Sequence, residues 1–179
     1  NEIIMNKKEQ IEVMTDEEIH FITKFFTADN PNYILSHVLT TNEILISSDK
    51  IIMNDEFYFA IVSMYLRDIE DILFIKRKVL EALKVGFLKL LELNEMLSSF
   101  VNMMFESLDD NGHELSFVLL NTFKELLFHF SNYKIDEEKS KKIFLFTLIP
   151  NTSFFKLSLG ITESCVRCKD NIKTLIDDG

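Results

Sequence analysis

The sequence predicts an all-α protein, and three observations support that prediction. Apolar side chains recur at spacings of three and four residues along much of the chain, as they do on the buried faces of helices. Only four Gly and two Pro occur among 179 residues, so the tight turns that many short strands require are scarce. Apolar segments that begin at Phe59, Val101 and Ile143 start 42 residues apart, with Glu17 in the preceding slot, which is typical of stacked helical units.

The composition is that of a chain that folds as one domain. Hydrophobic residues make up 47% of the sequence and seventeen residues are Phe, which excludes the polar composition of a disordered chain. A chain of this length buries about 70% of its unfolded surface. We expect an N-terminal extension over residues 1–14 and a single helical domain over residues 15–179. The ends at Asn1 and Gly179 suit a piece of a longer polypeptide.

The charge and the hydrophobic pattern exclude several classes of partner. The formal net charge is −10 at pH 7, whereas proteins that bind nucleic acids or anionic membranes rely on clustered Lys and Arg. Charged residues interrupt every apolar run before it reaches the roughly 18 residues of a membrane span. The N-terminus also lacks the pattern of a signal peptide. We therefore expect a cytoplasmic protein that neither spans membranes nor binds nucleic acid.

In the first third of the chain, two helix starts are readable. The segment Thr15-Asp-Glu-Glu18 is a capping box, and it predicts a helix to about Phe26. The pair Asn30-Pro31 predicts a short second helix to about Val38. Residues 40–54 have a mixed pattern, with a turn predicted at Ser47-Ser-Asp-Lys50.

The middle of the chain is helical almost throughout. The pattern from Asp55 to Leu93 predicts helices that are interrupted after residues 66–68 and again near Gly86, because glycine weakens a helix interior. Asn94 or Ser98 starts the next helix, which ends near Leu108. A turn is predicted over residues 109–112.

The helix predicted from His113 to Phe130 has two apolar faces instead of one. Its polar stripe is narrow, so we expect neighbours to cover it on two sides, as they cover the inner helix of a layered stack. The first face contains Leu115, Leu119, Phe123, Leu126 and Phe130, the second contains Phe117, Leu120 and Phe128, and the polar stripe contains Glu114, Asn121 and Glu125.

The last third of the chain predicts three more helices. One begins at the cap residue Asp136 and ends at Pro150. The other two span Thr152–Leu159 and Thr162–Ile176.

Two stretches resemble the turn and second helix of armadillo and HEAT repeats. The first is Leu108-Asp-Asp110 followed by apolar residues from Leu115 to Leu127, and a looser copy runs from Leu66 to Leu91. The resemblance implies a right-handed stack of helices that acts as a non-enzymatic scaffold or adaptor. Such a stack presents a concave surface to a partner peptide or domain.

A shorter segment resembles one subgroup of that superfamily. Residues 82–91, Ala-Leu-Lys-Val-Gly-Phe-Leu-Lys-Leu-Leu, are similar to part of the armadillo region of diaphanous-type formins. This resemblance implies a small GTPase of the Rho type, or an autoinhibitory tail, as the partner.

A competing resemblance points to a compact all-α bundle. Leu66-Arg-Asp-Ile-Glu-Asp71 resembles the death-helix motif of B-cell-lymphoma apoptosis regulators, and Val101–Phe105 with Gly112-His113 and Phe117 resembles their groove-forming motif. Glu70 departs from the family's small residue, and Asn-Gly-His stands where the family has Trp-Gly-Arg. This alternative implies an apoptosis regulator that binds amphipathic pro-apoptotic helices in a hydrophobic groove.

The cysteine pair has the only spacing that is typical of reactive thiols. Cys165 and Cys168 are three residues apart and lie beside Arg167 and Lys169, which favours a thiolate. Structural zinc requires four ligands, however, and a second cysteine pair is absent from the sequence. We therefore expect two reduced helical cysteines, with no metal and no cofactor.

Other polar groups fail as catalytic or metal sites. A calcium-type loop that starts at Ser107 has Val118 at the twelfth position, where calcium loops place a glutamate. His113 and His20 each lie beside glutamates, but no nucleophile or glycine-rich phosphate loop accompanies them. We therefore expect no enzymatic activity.

The main basic island of this acidic chain comprises Lys76-Arg-Lys78, Lys84 and Lys89. Helical spacing places Lys78 and Lys89 on one face with Glu81 and Glu92, which predicts an ion-paired, solvated stripe. Arg77 and Lys84 are seven residues apart and fall together on a different face. These two residues are our candidate docking patch for an acidic protein partner, and the sequence does not specify the oligomeric state.

Overall fold

A computed structural model describes residues 13–24, 31–48, 50, 54–66, 72–90, 92–108, 114–168, 170–172 and 176. Within these ranges the chain forms eight α-helices with defined bounds and no strand, so the predicted all-α class is confirmed. The helices are α1 (Asp16–Thr23), α2 (Pro31–Ser47), α3 (Asp55–Tyr65), α4 (Ile72–Leu88), α5 (Glu95–Glu106), α6 (Glu114–His129), α7 (Glu137–Thr147) and α8 (Thr152–Cys165).

The four odd-numbered helices begin in the same way. A side-chain oxygen of the residue before each helix accepts a hydrogen bond from the backbone N–H three residues later, which satisfies a donor that would otherwise lack a partner. The predicted capping box at Thr15 is present, and Asn94, not Ser98, caps α5. The four caps are Thr15, Asn54, Asn94 and Asp136, at intervals of 39, 40 and 42 residues.

The caps correct the register of the predicted repeat. Seven residues after each cap lies a buried aliphatic side chain: Ile22, Ile61, Val101 and Ile143, which are 8%, 1%, 1% and 2% exposed. The sequence instead aligned Phe59 with Val101, but Phe59 is 65% exposed. That alignment is wrong by two residues because the caps of α3 and α5 are 40 residues apart, not 42.

The even-numbered helices pack side by side in chain order, α2 against α4, α4 against α6 and α6 against α8. Arg77, near the start of α4, pairs with Glu114, the first residue of α6. Lys84, further along α4, pairs with Glu125, further along α6. The two pairs follow the same direction along both helices, so α4 and α6 are parallel.

The contacts between α6 and α8 show the same orientation. Phe117, near the start of α6, meets Phe154, near the start of α8, with ring centroids 5.5 Å apart. Phe128, near the end of α6, lies 4.6 Å from the guanidinium carbon of Arg167, just beyond the end of α8. These two helices are therefore also parallel.

Each of α3, α5 and α7 packs against the even helix that follows it, and α1 packs against α3. Tyr58 at the start of α3 contacts Phe87 near the end of α4, with ring centroids 6.1 Å apart. Phe146 near the end of α7 stacks on Phe154 at the start of α8, at 5.5 Å. Consecutive helices are thus antiparallel, and the molecule is built from helix hairpins joined through a row of even helices.

One cluster of buried apolar side chains runs through the described residues from Ile19 to Cys165. Aromatic rings connect successive helices within it: Phe87 stacks on Phe100 at 5.1 Å, and Phe105 meets Phe123 edge-on at 4.9 Å. Burial of this apolar surface is the main force that holds the helices together.

Three predicted helix ends are wrong, and tertiary packing explains two of them. α2 continues from Val38 to Ser47 because Leu45 is buried and the Asn42 amide donates a hydrogen bond to the carbonyl of Lys78, at 3.1 Å. α4 passes through Gly86 and ends at Leu88. α8 continues beyond Leu159 to Cys165 because Ile161 and Cys165 are buried.

The prediction that α6 is covered on two sides is confirmed, with one exception. Leu119 and Phe123 are buried on one face, and Leu120 is buried on the other. Phe128, assigned to the second face, is 65% exposed. Its ring packs against Arg167, a contact that the sequence pattern of α6 alone does not indicate.

A buried asparagine fastens the connection between α6 and α7 to the C-terminal end of α8. The Asn171 side chain accepts a hydrogen bond from the Ile135 backbone N–H at 2.8 Å. Its amide donates to the carbonyls of Tyr133 at 2.8 Å and Cys165 at 3.2 Å. Asn171 is only 1% exposed, so its side chain supplies the polar partners that these buried backbone groups need.

Several predicted features lie outside the described residues. These are the end of the first helix near Phe26, the turn over residues 109–112 and the extension over residues 1–12. The same holds for residues 67–71 of the death-helix motif and for Gly112-His113 of the groove-forming motif.

Candidate partner-binding groove

A groove with a volume of about 450 Å³ runs along the surface between α4 and α6. Both walls carry polar and apolar side chains, so the groove offers charged groups beside apolar contact surface. Its lining residues are Phe74, Arg77, Lys78, Glu81 and Lys84 of α4, and Phe117, Val118, Asn121 and Thr122 of α6.

Both residues of the predicted docking patch line this groove. Arg77 donates a hydrogen bond to Glu114 at 2.5 Å, and the Lys84 ammonium lies 2.8 Å from a carboxylate oxygen of Glu125. The Arg77 side chain is 48% exposed and the Lys84 side chain 22%, so a ligand in the groove reaches both. At about 1.5 Å per helical residue, their Cα atoms are separated by about 10 Å along α4.

The groove also contains two residues that the sequence placed elsewhere. Lys78 and Glu81 form an ion pair of 2.9 Å, as predicted, but they line the same groove as Arg77 instead of a separate solvated face. The prediction of two separate faces is wrong because the groove is wide enough for adjacent positions of α4 to reach it. Lys89 lies apart and donates hydrogen bonds to the carbonyls of Leu45 and Ser48, at the end of α2.

The opposite wall of the groove contains the polar stripe of α6. The Asn121 amide donates to one carboxylate oxygen of Glu125 at 2.9 Å, while the other oxygen of Glu125 pairs with Lys84. Sequence reasoning identified this stripe as the polar face of a buried helix but not as part of the site. The missing information was that α4 and α6 are neighbours, which brings Lys84 and Glu125 together across 41 positions.

The groove lies on the basic part of a polarised molecule. α4 contains four Lys or Arg residues and one Glu, whereas α1, α3 and α5 together contain seven Asp or Glu and no Lys or Arg. Ion pairs at partly exposed positions each contribute only about 0 to 1 kcal/mol. The groove cations can therefore exchange their internal carboxylates for those of a ligand at a small cost in stability.

The cysteine pair does not form a reactive site in this structure. Cys165 is 1% exposed, and its burial raises the pKa of the thiol to about 12, so it stays protonated at neutral pH. The Cys168 thiol lies 3.8 Å from the carbonyl of Asn132. Among the residues that the structure describes, no group of three or more His, Cys, Asp or Glu side chains could hold a metal ion.

His20 pairs with a residue other than the neighbouring glutamates. Its Nδ1 lies 3.0 Å from Glu56, at the start of α3, and the Thr23 hydroxyl donates to the same carboxylate oxygen at 3.1 Å. The Thr23 proton is thus directed at Glu56 and not at His20, so the cluster lacks the geometry of an activated nucleophile. It links α1 to α3.

No helix in the described part of the chain is long and apolar enough to cross a membrane. No protein-family model, curated protein or solved structure matches this sequence.

Proposed function

We propose that this chain is a non-enzymatic protein-interaction module, built as a helical-repeat stack of the armadillo or HEAT type. In this proposal the α4–α6 groove binds an acidic segment of a protein partner. The observation that carries the proposal is the convergence of Arg77, Lys78 and Lys84 in one open groove, beside the exposed ring of Phe74, in a chain of net charge −10.

The packing of the helices supports a stack over the compact apoptosis-regulator bundle. A bundle of that type encloses one central helix. Here α4 packs against α2, α3 and α6, and α6 packs against α4, α5 and α8, so neighbours follow one another in chain order. The regular spacing of the caps before the odd helices supports the same proposal.

The binding mechanism would be an exchange of carboxylates. Acidic side chains of the partner replace Glu114 on Arg77 and Glu125 on Lys84, and an apolar partner side chain covers Phe74. The groove follows α4 from residue 74 to residue 84, which is about 15 Å. An extended peptide rises about 3.3 Å per residue, so about four to five residues span this length.

Titration with acidic peptides tests the proposal. Fluorescein-labelled peptides of about ten residues, each with one Phe flanked by two Glu on either side, are added to the protein and followed by fluorescence anisotropy. We expect binding that weakens as NaCl rises from about 50 to about 500 mM, because salt screens exposed charges. Replacing Arg77 and Lys84 with Gln should weaken binding about tenfold, since each charged hydrogen bond contributes about 1.5 to 3 kcal/mol before the internal pairs are offset.

The matched control replaces two other exposed cations, Lys134 and Lys156, with Gln. It removes the same charge from the chain and should leave binding unchanged. Equal weakening in both double variants would reduce the effect to net charge and contradict a groove site. Amide chemical-shift changes confined to helices other than α4 and α6 would contradict it as well.

A further inference from the structure

A stripe of apolar side chains lies exposed along one face of α8 and the residue that follows it. Phe155, Leu159 and Val166 are 49%, 48% and 45% exposed, and half-buried Thr162 lies between the last two. The spacings of four, three and four residues place all of them on one helix face. This face is separate from the α4–α6 groove, so the inference does not depend on the proposed function.

The burial pattern identifies what this face corresponds to elsewhere in the row. Six buried positions of α6 recur in α8 at an offset of 38 residues: positions 116, 119, 120, 123, 126 and 127 correspond to positions 154, 157, 158, 161, 164 and 165. The two helices are therefore seated in the same way, and each residue of α6 has an equivalent in α8.

The residues with which α6 contacts α8 are the equivalents of this stripe. Phe117 meets Phe154, Phe128 packs against Arg167, and the end of the Lys124 side chain lies over Gly160, 2.7 Å from where a Cβ would be. Adding 38 to positions 117, 124 and 128 gives Phe155, Thr162 and Val166. The stripe thus occupies the positions through which the preceding even helix receives its neighbour.

The equivalent positions of α4 carry a different chemistry for the same task. Arg77 and Lys84 lie 40 residues before Phe117 and Lys124, and they meet α6 through ion pairs. In α8 the corresponding residues are Phe155 and Thr162, which carry no charge. Terminal units of helical stacks usually have polar outer faces, so an apolar outer face indicates that another helix covers it.

We propose that this face of α8 binds an amphipathic helix of a partner protein, laid parallel to α8 as α8 is laid along α6. The partner helix presents apolar residues at positions i, i+4, i+7 and i+11. Exposed Lys156 and Glu163 flank the stripe, seven residues apart, so a Glu followed seven residues later by a Lys on the partner helix complements them. The continuity with the α6–α8 interface and this charge pattern define the ligand.

A synthetic helix provides the test. The probe is a fluorescein-labelled peptide of about 18 residues with Leu at the four stripe positions, the matching Glu and Lys, and alanine-rich flanks. We expect saturable binding to the intact chain and at least about tenfold weaker binding when Phe155 and Leu159 are both replaced with Asp. A peptide of the same composition with a scrambled stripe should not bind.

Replacing Phe59 and Leu66 with Asp is the matched control, because these residues are 65% and 66% exposed on and just after α3. This variant should bind the probe as the unchanged protein does, and circular dichroism checks that both variants remain helical. Absence of binding to the unchanged protein, or undiminished binding after the Phe155→Asp and Leu159→Asp changes, would overturn the proposal. Sedimentation equilibrium showing a dimer that these two changes dissociate would overturn it in favour of a second copy.

Discussion

The α4–α6 and α6–α8 contacts are two parallel junctions in one row of helices, yet they use different chemistry. Across the first, Arg77 and Lys84 pair with Glu114 and Glu125, and an open groove of about 450 Å³ remains between the helices. Polar, partly exposed side chains hold this junction at the surface. It is stable enough to keep the row intact and still accessible to a ligand.

Aromatic side chains hold the second junction. Phe154 is 3% exposed, meets Phe117 edge-on and stacks on Phe146 of α7, so it ties three helices together. The row therefore requires the same parallel seating at each step but not the same residues. The first junction offers charge to a partner, whereas the second contributes mainly to stability.

Removing the aromatic anchor should have the largest effect. We expect Phe154→Ala to lower the free energy of unfolding by about 3 to 5 kcal/mol, because it deletes a buried ring and leaves a cavity. Urea denaturation followed by circular dichroism measures the change. Phe74→Ala, at a 49% exposed position of the first junction, is the control and should cost less than about 1 kcal/mol. Similar losses for both variants would abolish the distinction between the junctions.

An intermediate effect is expected at the buried asparagine beside the second junction. Asn171→Ala leaves the Ile135 N–H and the carbonyls of Tyr133 and Cys165 without this partner. We expect a loss of about 2 to 3 kcal/mol, since unsatisfied buried polar groups cost about 1 to 3 kcal/mol. Hydrogen exchange at the Ile135 amide should accelerate in the variant. Unchanged protection of that amide would contradict the role assigned to Asn171.

The smallest effect on stability should come from the ion pairs of the first junction. Replacing Arg77 and Lys84 with Gln should change the free energy of unfolding by no more than about 1 kcal/mol, because partly exposed ion pairs are weak. The same double change should weaken the binding of acidic peptides about tenfold. A loss of stability comparable to that of Phe154→Ala would show that these residues hold the fold and are not available to a ligand.

Local signals in the sequence predicted the helix starts well. Thr15, Asn94 and Asp136 cap their helices through side chains only three residues from the amides they bind, so adjacent residues contain the whole signal. The two-sided burial of α6 was also readable from its own residues. The length of α2 was not, because contacts with α4 stabilise its second half.

The site could be predicted only in part, for a similar reason. The spacing of Arg77 and Lys84 placed them on one helix face, and both line the groove. Their carboxylate partners lie 37 and 41 positions away, and no local pattern indicates which helix packs against α4. The 42-residue offset pointed to repetition but misaligned Phe59, because the true interval differs from one pair of helices to the next.

The central claim is that the even helices lie in one row in chain order, and an electron-spin distance between its ends tests this most directly. Spin labels are placed at Ser36→Cys of α2 and Lys156→Cys of α8, both exposed positions, with Cys168 changed to Ser. Buried Cys165, whose burial raises its pKa to about 12, should remain unlabelled. Three steps of about 8 to 10 Å between neighbouring helices predict a separation of about 24 to 30 Å. A distance below about 20 Å, as expected for helices packed around a common centre, would contradict the row.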